Sequence, residues 1–300
     1  MPNITGHTEL VGLMAYPIRH TQSPTTHNLA YDKNGDDVIQ LAFEVDNDSL
    51  KDAVQSIRAL KMLGSNISMP NKTVVHQYLD EVDEAARLCG AINTVVNMRD
   101  ESGAVTGKLK GYNTDGMGYW QGIKEEGIDF KGMKMVLIGT GGAATAIAVR
   151  GALDGIAEME IFNIKDKFYS RGEEIVDVIN QNTNCKATMN DLGDLELLKK
   201  KMQEADIFCD ATGVGMHPLE ELSNIPDASY FKKDLIVTDT VYAPRETVMM
   251  KQAKEAGIPV ISYDRLLMNS DAVTYYATFD NYKVGQKQGE YLVDALDLDN

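Results

Sequence analysis

Apolar positions along this 300-residue chain alternate between short β-branched runs and longer stretches with helical spacing, without an internal repeat or a low-complexity tract. In the first third this pattern predicts strands at 9–14, 39–45, 66–69 and 92–98, and helices at 24–34 and 49–63. Ser23 before Pro24 marks one helix start, because a side-chain oxygen can cap the free amides and proline suits the first turn; Asp48 before Ser49 marks the other. The stretch 103–116 reads as rich in turns. Beyond it come a strand at 133–138, a helix at 143–153, a strand at 158–163, a helix at 171–180, and strands at 206–209, 235–238 and 258–261. Strands with Val, Leu and Ile on both faces, joined by helices, predict a parallel sheet covered on both sides. From Tyr263 onward the chain reads helical and is expected to pack back across the first domain.

One turn carries recognisable chemistry. In MVLIGTGGAATAIAV, Gly139, Gly141 and Ala144 take the positions of G-x-G-x-x-G/A, directly after an apolar strand and at the opening of a helix. Gly139 permits the tight turn, Gly141 lacks the Cβ that would hold a pyrophosphate away, and Ala143 and Ala144 let the helix press on the sheet. Amides of Thr140, Gly142 and Ala143, at a positive helix end, then face the phosphates. The fold expected is therefore α/β: an N-terminal α/β substrate domain over 1–115, joined by about 263–300, and a C-terminal Rossmann-type dinucleotide-binding domain over 116–262. At the end of the next strand lies Asn163-Ile164-Lys165-Asp166-Lys167. Asp166 can accept from an adenosine ribose hydroxyl, which favours NAD, whereas Lys165 can tolerate the 2′-phosphate of NADP. An exposed charged loop is the plain alternative for both.

Charge narrows the partners. The 29 Lys and Arg against 45 Asp and Glu give a net charge of −16, a field that repels nucleic acid and anionic lipid. An anionic small molecule must then be drawn by local donors in a pocket. Hydrophobic residues at 43% and charged ones at 25% are those of a globular chain. The uncharged stretch 135–149 is shorter than a bilayer span, no basic leader opens MPNITGHTEL, and Cys89, Cys185 and Cys209 show no metal or disulfide spacing. The expectation is a cytoplasmic protein without a metal, a nucleic-acid partner or a membrane.

Outside the glycine turn, two polar segments stand out: Ser68-Met69-Pro70-Asn71-Lys72, which aims a lysine from the carboxyl end of a strand, and Gly111-Tyr112-Asn113-Thr114-Asp115-Gly116, which alone would read as a helix cap. With Ser23 in HTQSP and Asn93 in GAINT, and with GLMAYPIRHTQSP, LAFEVDNDSL, RALKMLG, LIGTGGAATAI and TDTVYAP in the same order, the chain resembles the shikimate/quinate dehydrogenases, in particular their quinate/shikimate dehydrogenase branch. The resemblance covers nearly the whole chain. It implies an NAD(P)-dependent oxidoreductase that interconverts shikimate and 3-dehydroshikimate, or quinate and 3-dehydroquinate, within the shikimate pathway, and it allows a homodimer. It implies that Lys72 is the acid/base and Asp115 its partner at the reacting hydroxyl. Thr21, Ser23, Ser68, Asn93, Tyr242 and Asn269 are implied to hold the substrate. Thr212, Gly213, Val241 and Asp264 are implied to lie against the nicotinamide side of the cofactor.

Several positions depart from that family pattern. Thr21 replaces a serine and adds a methyl to the carboxylate end of the pocket; Asn269 stands where a longer glutamine is usual. Asp264 replaces a glycine near the nicotinamide, and the stretch Thr212 to Gly215 also differs. Ile164 stands where NADP-preferring members carry arginine, which leans the reading toward NAD. A second reading, from another class, is a dinucleotide- or substrate-sensing module that has lost turnover; retention of Lys72 and Asp115 argues against it. A folate-linked or amino-acid dehydrogenase of similar build would not require SMPNK and NTDG together.

Overall fold

The computed structural model describes residues 4–241, 243–244, 246–258, 260–264 and 275–278, with backbone alone for 261–264 and 275–278. Two compact units divide these residues after Thr114.

The first unit is a mixed sheet flanked by helices. In chain order it contains β1 (Glu9–Ala15), α1 (Ser23–Asn34), β2 (Val38–Glu44), α2 (Leu50–Ala59), β3 (Gly64–Ile67), β4 (Glu81–Val82), α3 (Glu84–Cys89), β5 (Thr94–Arg99) and β6 (Val105–Tyr112). The six strands lie in the order β2-β1-β3-β5-β6-β4. β1 is parallel to β2 and β3, whereas β5 runs antiparallel to both β3 and β6. Leu50, Val54 and Ile57 recur at helical spacing on α2, and all three are buried with Met14, Ile67, Val95 and Leu109 in one core. α2 stops at Ala59, short of the expected 63, because Lys61 takes a positive φ of 52° and the Met62 amide bonds back to the Ile57 carbonyl. The stretch read as turns holds β6. Its inward positions include Gly111, where a Cβ would lie 2.6 Å from Leu79 and 2.7 Å from Ile92, so glycine hides an alternation that a larger residue would have displayed.

The second unit, Asp115–Thr278, is built on an all-parallel sheet. Its elements are α4 (Asp115–Glu125), β7 (Lys134–Ile138), α5 (Gly142–Asp154), β8 (Glu158–Asn163), α6 (Tyr169–Asn182), β9 (Lys186–Asp191), α7 (Leu195–Glu204), β10 (Ile207–Asp210), β11 (Ile236–Asp239), α8 (Val248–Glu255), β12 (Val260–Asp264) and β13 (Tyr275–Thr278). Seven strands follow the order β13-β12-β11-β10-β7-β8-β9. The chain thus winds outward from β7 through β8 and β9, then restarts beside β7 at β10. That reversal is the doubly wound topology, and it opens a crevice at the carboxyl ends of β7 and β10. Val136, Ile138, Phe162, Phe208, Val237 and Val260 are buried in a common core, which explains the continuous apolar runs of these strands.

The region expected to be helical from Tyr263 differs. Tyr263 and Asp264 close β12, and Tyr275–Thr278 form β13, parallel to it in the same sheet. Aromatic and β-branched residues there favour a pleated strand. The expected return of 263–300 across the first domain otherwise lies outside the described residues. Among the described residues no helix is long and apolar enough to cross a membrane.

Candidate functional site

In the first unit, strand direction gathers the polar candidates at one sheet edge. β1 and β3 run parallel, so the segments leaving their carboxyl ends emerge together; the start of the antiparallel β5 and the end of β6 lie at the same edge, with Asn66 opposite Thr94 and Thr94 opposite Tyr112. After β1 the chain brings Thr21 to Ser23, whose hydroxyl oxygens are 3.2 Å apart, and the Ser23 amide donates to the Thr21 hydroxyl at 3.2 Å. Ser23 begins α1, and Pro24 occupies its first turn.

After β3 comes the lysine. The Ser68 amide donates to the Met14 carbonyl at 3.0 Å, and a short 3-10 turn, Asn71–Thr73, carries Lys72. Asn71 is fully buried and its amide nitrogen donates to the Val45 carbonyl at 2.8 Å, so the turn is anchored from below. The Ile92 amide bonds the Lys72 carbonyl at 2.8 Å, and the Ile67 amide bonds the Asn93 carbonyl at 2.7 Å, which ties Lys72 and Asn93 to the same scaffold. The Asn93 side chain grips Thr114: its amide nitrogen donates to the Thr114 hydroxyl at 2.9 Å, and its oxygen accepts from the Thr114 amide at 3.0 Å.

Asp115 is the first residue of α4 in the second unit, a helix end where a carboxylate is favoured. Two close approaches fix that helix on α5. A Cβ on Gly116 would lie 2.2 Å from the Ala146 carbonyl oxygen, and one on Gly151 would lie 2.4 Å from the Trp120 ring. The Trp120 indole N–H donates to the Ile147 carbonyl at 2.8 Å.

The glycine turn has the geometry its sequence predicted. Gly139 has φ of 113°, which disfavours side chains, and a Cβ there would meet the Ala211 carbonyl oxygen at 2.9 Å. Gly141, in extended conformation, precedes the first turn of α5, and neither Gly141 nor Gly142 would place a Cβ within 4 Å of another group. Open space thus lies in front of the amides at the start of α5, and the residues fit a pyrophosphate. Thr140 is buried and its hydroxyl donates to the Phe168 carbonyl at 3.3 Å, while Ala143 is exposed.

At the end of β8, Asn163 donates to Asp166 at 3.3 Å and the Asp166 carboxylate accepts from the Phe168 amide at 2.9 Å. Asp166 therefore braces its own loop. Lys165 reaches Asp191 at 3.2 Å, and Ile164 is exposed.

Two residues that the sequence reading did not single out shape the crevice edge. Asp210 and Asp239 end adjacent strands, lie opposite each other in register, and are both buried. The Asp210 carboxylate accepts from the Thr212 amide at 3.0 Å and hydroxyl at 2.7 Å, and from Asn224 at 2.9 Å. Asp239 accepts from the Val241 amide at 2.8 Å and from the Thr247 hydroxyl at 2.8 Å. They thus hold the segments carrying Thr212, Gly213 and Val241. Burial, and then the neighbouring Asp210 charge, push Asp239 up to about 7, against the pull of its hydrogen bonds; burial likewise raises Asp210. The available signal was an acid closing each of the apolar runs IFCD and IVTD. Tyr242 and Asn269 lie outside the described residues, and Asp264 is placed by its backbone at the carboxyl end of β12.

Among the described residues no cluster of His, Cys, Asp or Glu could hold a metal ion. The model of the shikimate dehydrogenase substrate-binding domain matches residues 13–95, and a periplasmic binding protein domain model matches residues 223–299, about a quarter of the chain. The chain is 50% identical over 259 residues to the shikimate dehydrogenase (NADP(+)) of Listeria innocua, covering 86% of this chain and 87% of that protein. It is 46% identical over 266 residues to the quinate/shikimate dehydrogenase of Escherichia coli, covering 88% and 90%. Among solved structures, shikimate 5-dehydrogenase from Listeria monocytogenes, in complex with shikimate and NAD, is similar with a TM-score of 0.82 and 49% identity over 87% of this chain and 88% of that one. With a matching substrate-domain model and relatives of this identity along most of its length, the chain belongs to the shikimate dehydrogenase family of oxidoreductases.

Proposed function

We propose that the chain catalyses the NAD(P)-linked interconversion of shikimate and 3-dehydroshikimate, accepts quinate as a second substrate, and favours NAD over NADP. The observation that carries the reading is the grouping of Thr21, Ser23, Ser68, Lys72 and Asn93 at one edge of the first sheet, in a member of this family. Hydroxyl and amide groups at that edge suit a polyhydroxylated ring acid, and local donors of this kind are what a chain of net charge −16 needs to bind an anion. The complex of the Listeria monocytogenes relative with shikimate and NAD supports both ligands. The Escherichia coli relative's name supports quinate.

Oxidation of the ring alcohol removes a proton from oxygen and a hydride from carbon. When bound, the nicotinamide supplies or accepts the hydride. Lys72 handles the proton at the hydroxyl oxygen, taking it during oxidation and returning it during reduction, and Asp115 orients that hydroxyl. Tyr242, Asn269, Thr21, Ser23, Ser68 and Asn93 hold the remaining oxygens. Thr140, Gly141, Gly142 and Ala143 receive the pyrophosphate, Asn163, Lys165 and Asp166 border the adenosine ribose, and Thr212, Gly213, Val241 and Asp264 border the nicotinamide. The lean to NAD is supported by Ile164, which leaves an exposed apolar side chain where an arginine would meet a 2′-phosphate. Initial rates with shikimate and quinate, each with NAD and NADP, test the reading. Turnover of shikimate, fastest with NAD, is expected; binding of acid and dinucleotide without turnover would replace the enzyme reading by that of a sensing module.

A further inference from the structure

We infer that Asp191, on the strand beside the ribose loop, is a specificity-determining residue: by holding Lys165 it disfavours a dinucleotide that carries a 2′-phosphate. The inference rests on the dinucleotide-binding reading of the second unit and adds a residue to it. β9 lies directly alongside β8, with Asp191 in register with Asn163, and the Leu192 amide bonds the Asn163 carbonyl at 2.9 Å. Asp191 therefore stands at the strand end where this fold receives the adenosine ribose. One of its oxygens accepts from the Gly193 amide at 2.8 Å and the other meets the Lys165 ammonium at 3.2 Å. The Gly193 bond first, and then Lys165, hold the Asp191 carboxyl below the usual carboxylate range, so it stays charged at neutral pH.

Lys165 is a loop cation whose ion-pair partner lies on the neighbouring strand. Lys167 lies 4.9 Å from the centre of the Phe168 ring, and Asp166 is engaged by the Phe168 amide and Asn163. A 2′-phosphate at this strand end would have to draw Lys165 from Asp191 and then sit beside an unneutralised carboxylate. A free 2′-hydroxyl meets neither obstacle. The pair is partly exposed, so the discrimination is modest and sensitive to salt.

Isothermal titration calorimetry of the full chain with NAD and with NADP tests this, using wild type, Asp191→Asn, Lys165→Ala and the double variant. Asp191→Asn keeps an oxygen for the Gly193 amide and removes only the charge. The expected result is NADP binding tighter by about three- to tenfold in Asp191→Asn, with NAD affinity within about twofold of wild type. The gain should vanish in the double variant and shrink in about 0.5 M salt. An unchanged ratio of NADP to NAD affinity in Asp191→Asn, or an equal gain in the double variant, overturns the inference while leaving dinucleotide binding intact. Failure of every variant and of wild type to bind either nucleotide overturns the dinucleotide reading itself.

Discussion

Gly116 approaches Ala146 so closely that a single added methyl would lie 2.2 Å from a carbonyl oxygen. The contact joins α4 to α5 at backbone distance, and it sits one residue after Asp115. The helix that presents the proposed catalytic carboxylate is thereby seated on the helix that opens with the glycine turn. Gly116→Ala must push these helices apart, at a cost of roughly 1–3 kcal/mol. A fall in Tm of several degrees, together with a lower kcat, is expected. Unchanged unfolding and turnover would mean that the helices yield without displacing Asp115.

The lysine of the 3-10 turn can be tested directly. Lys72→Ala is expected to lower kcat by a factor on the order of 10² to 10⁴, the usual worth of a positioned acid or base, while dinucleotide affinity stays the same. Steady-state rates and a calorimetric titration of the cofactor separate the two effects. Turnover near that of wild type would take Lys72 out of the mechanism.

Gly139 and Gly141 should respond differently to the same substitution. Gly139 holds a φ of 113° with a carbonyl oxygen 2.9 Å from any Cβ, so Gly139→Ala destabilises the fold by about 1–3 kcal/mol. Gly141 is extended with open space in front of it, so Gly141→Ala changes stability by less than about 1 kcal/mol, yet weakens dinucleotide binding at least tenfold by standing in the pyrophosphate's path. Urea unfolding and ligand titration of both variants distinguish a structural glycine from a binding one.

The buried carboxylate of Asp239 predicts a pH dependence of stability. Its value is raised from an ordinary 3.8 to about 7, so the folded protein retains a proton there that the unfolded chain releases. The resulting stabilisation is complete below about pH 4 and is lost as pH rises through 7. Asp239→Asn removes this dependence, keeping an acceptor for the Val241 amide. Relative to wild type, the variant is expected to gain in Tm as the pH is raised from 4 to 8. A difference that stays constant over that range would show that Asp239 is ionised throughout.

Much of this arrangement was legible in the amino-acid order, and the exceptions have causes. The strand and turn around Gly139 were plain because sequence, backbone and chemistry impose the same residues there. β6 was hidden because it carries Gly107, at a φ of 81°, and Gly111, at an inward position where a strand normally displays a large side chain. Asp191, Asp210 and Asp239 gave only faint signals: an acid at a strand end resembles a loop residue until the neighbouring strands reveal its partners. The lean to NAD rested on Asp166 and was strengthened by Ile164, both visible in one dimension, whereas the pairing of Lys165 with Asp191 spans two strands and needed the sheet. Likewise, the resemblance named Lys72 and Asn93 separately, but their shared edge follows from β5 running antiparallel to β3.

The grip of Asn93 on Thr114 makes that side-chain amide a junction within the first unit. If Asn93 binds the substrate as proposed, a ring hydroxyl arriving there must either share these hydrogen bonds or displace Thr114, the last residue of the first unit. The Asn93 backbone amide also donates to the Tyr112 carbonyl at 3.0 Å, so the same residue ties down the carboxyl end of β6 through its backbone and the turn beyond it through its side chain.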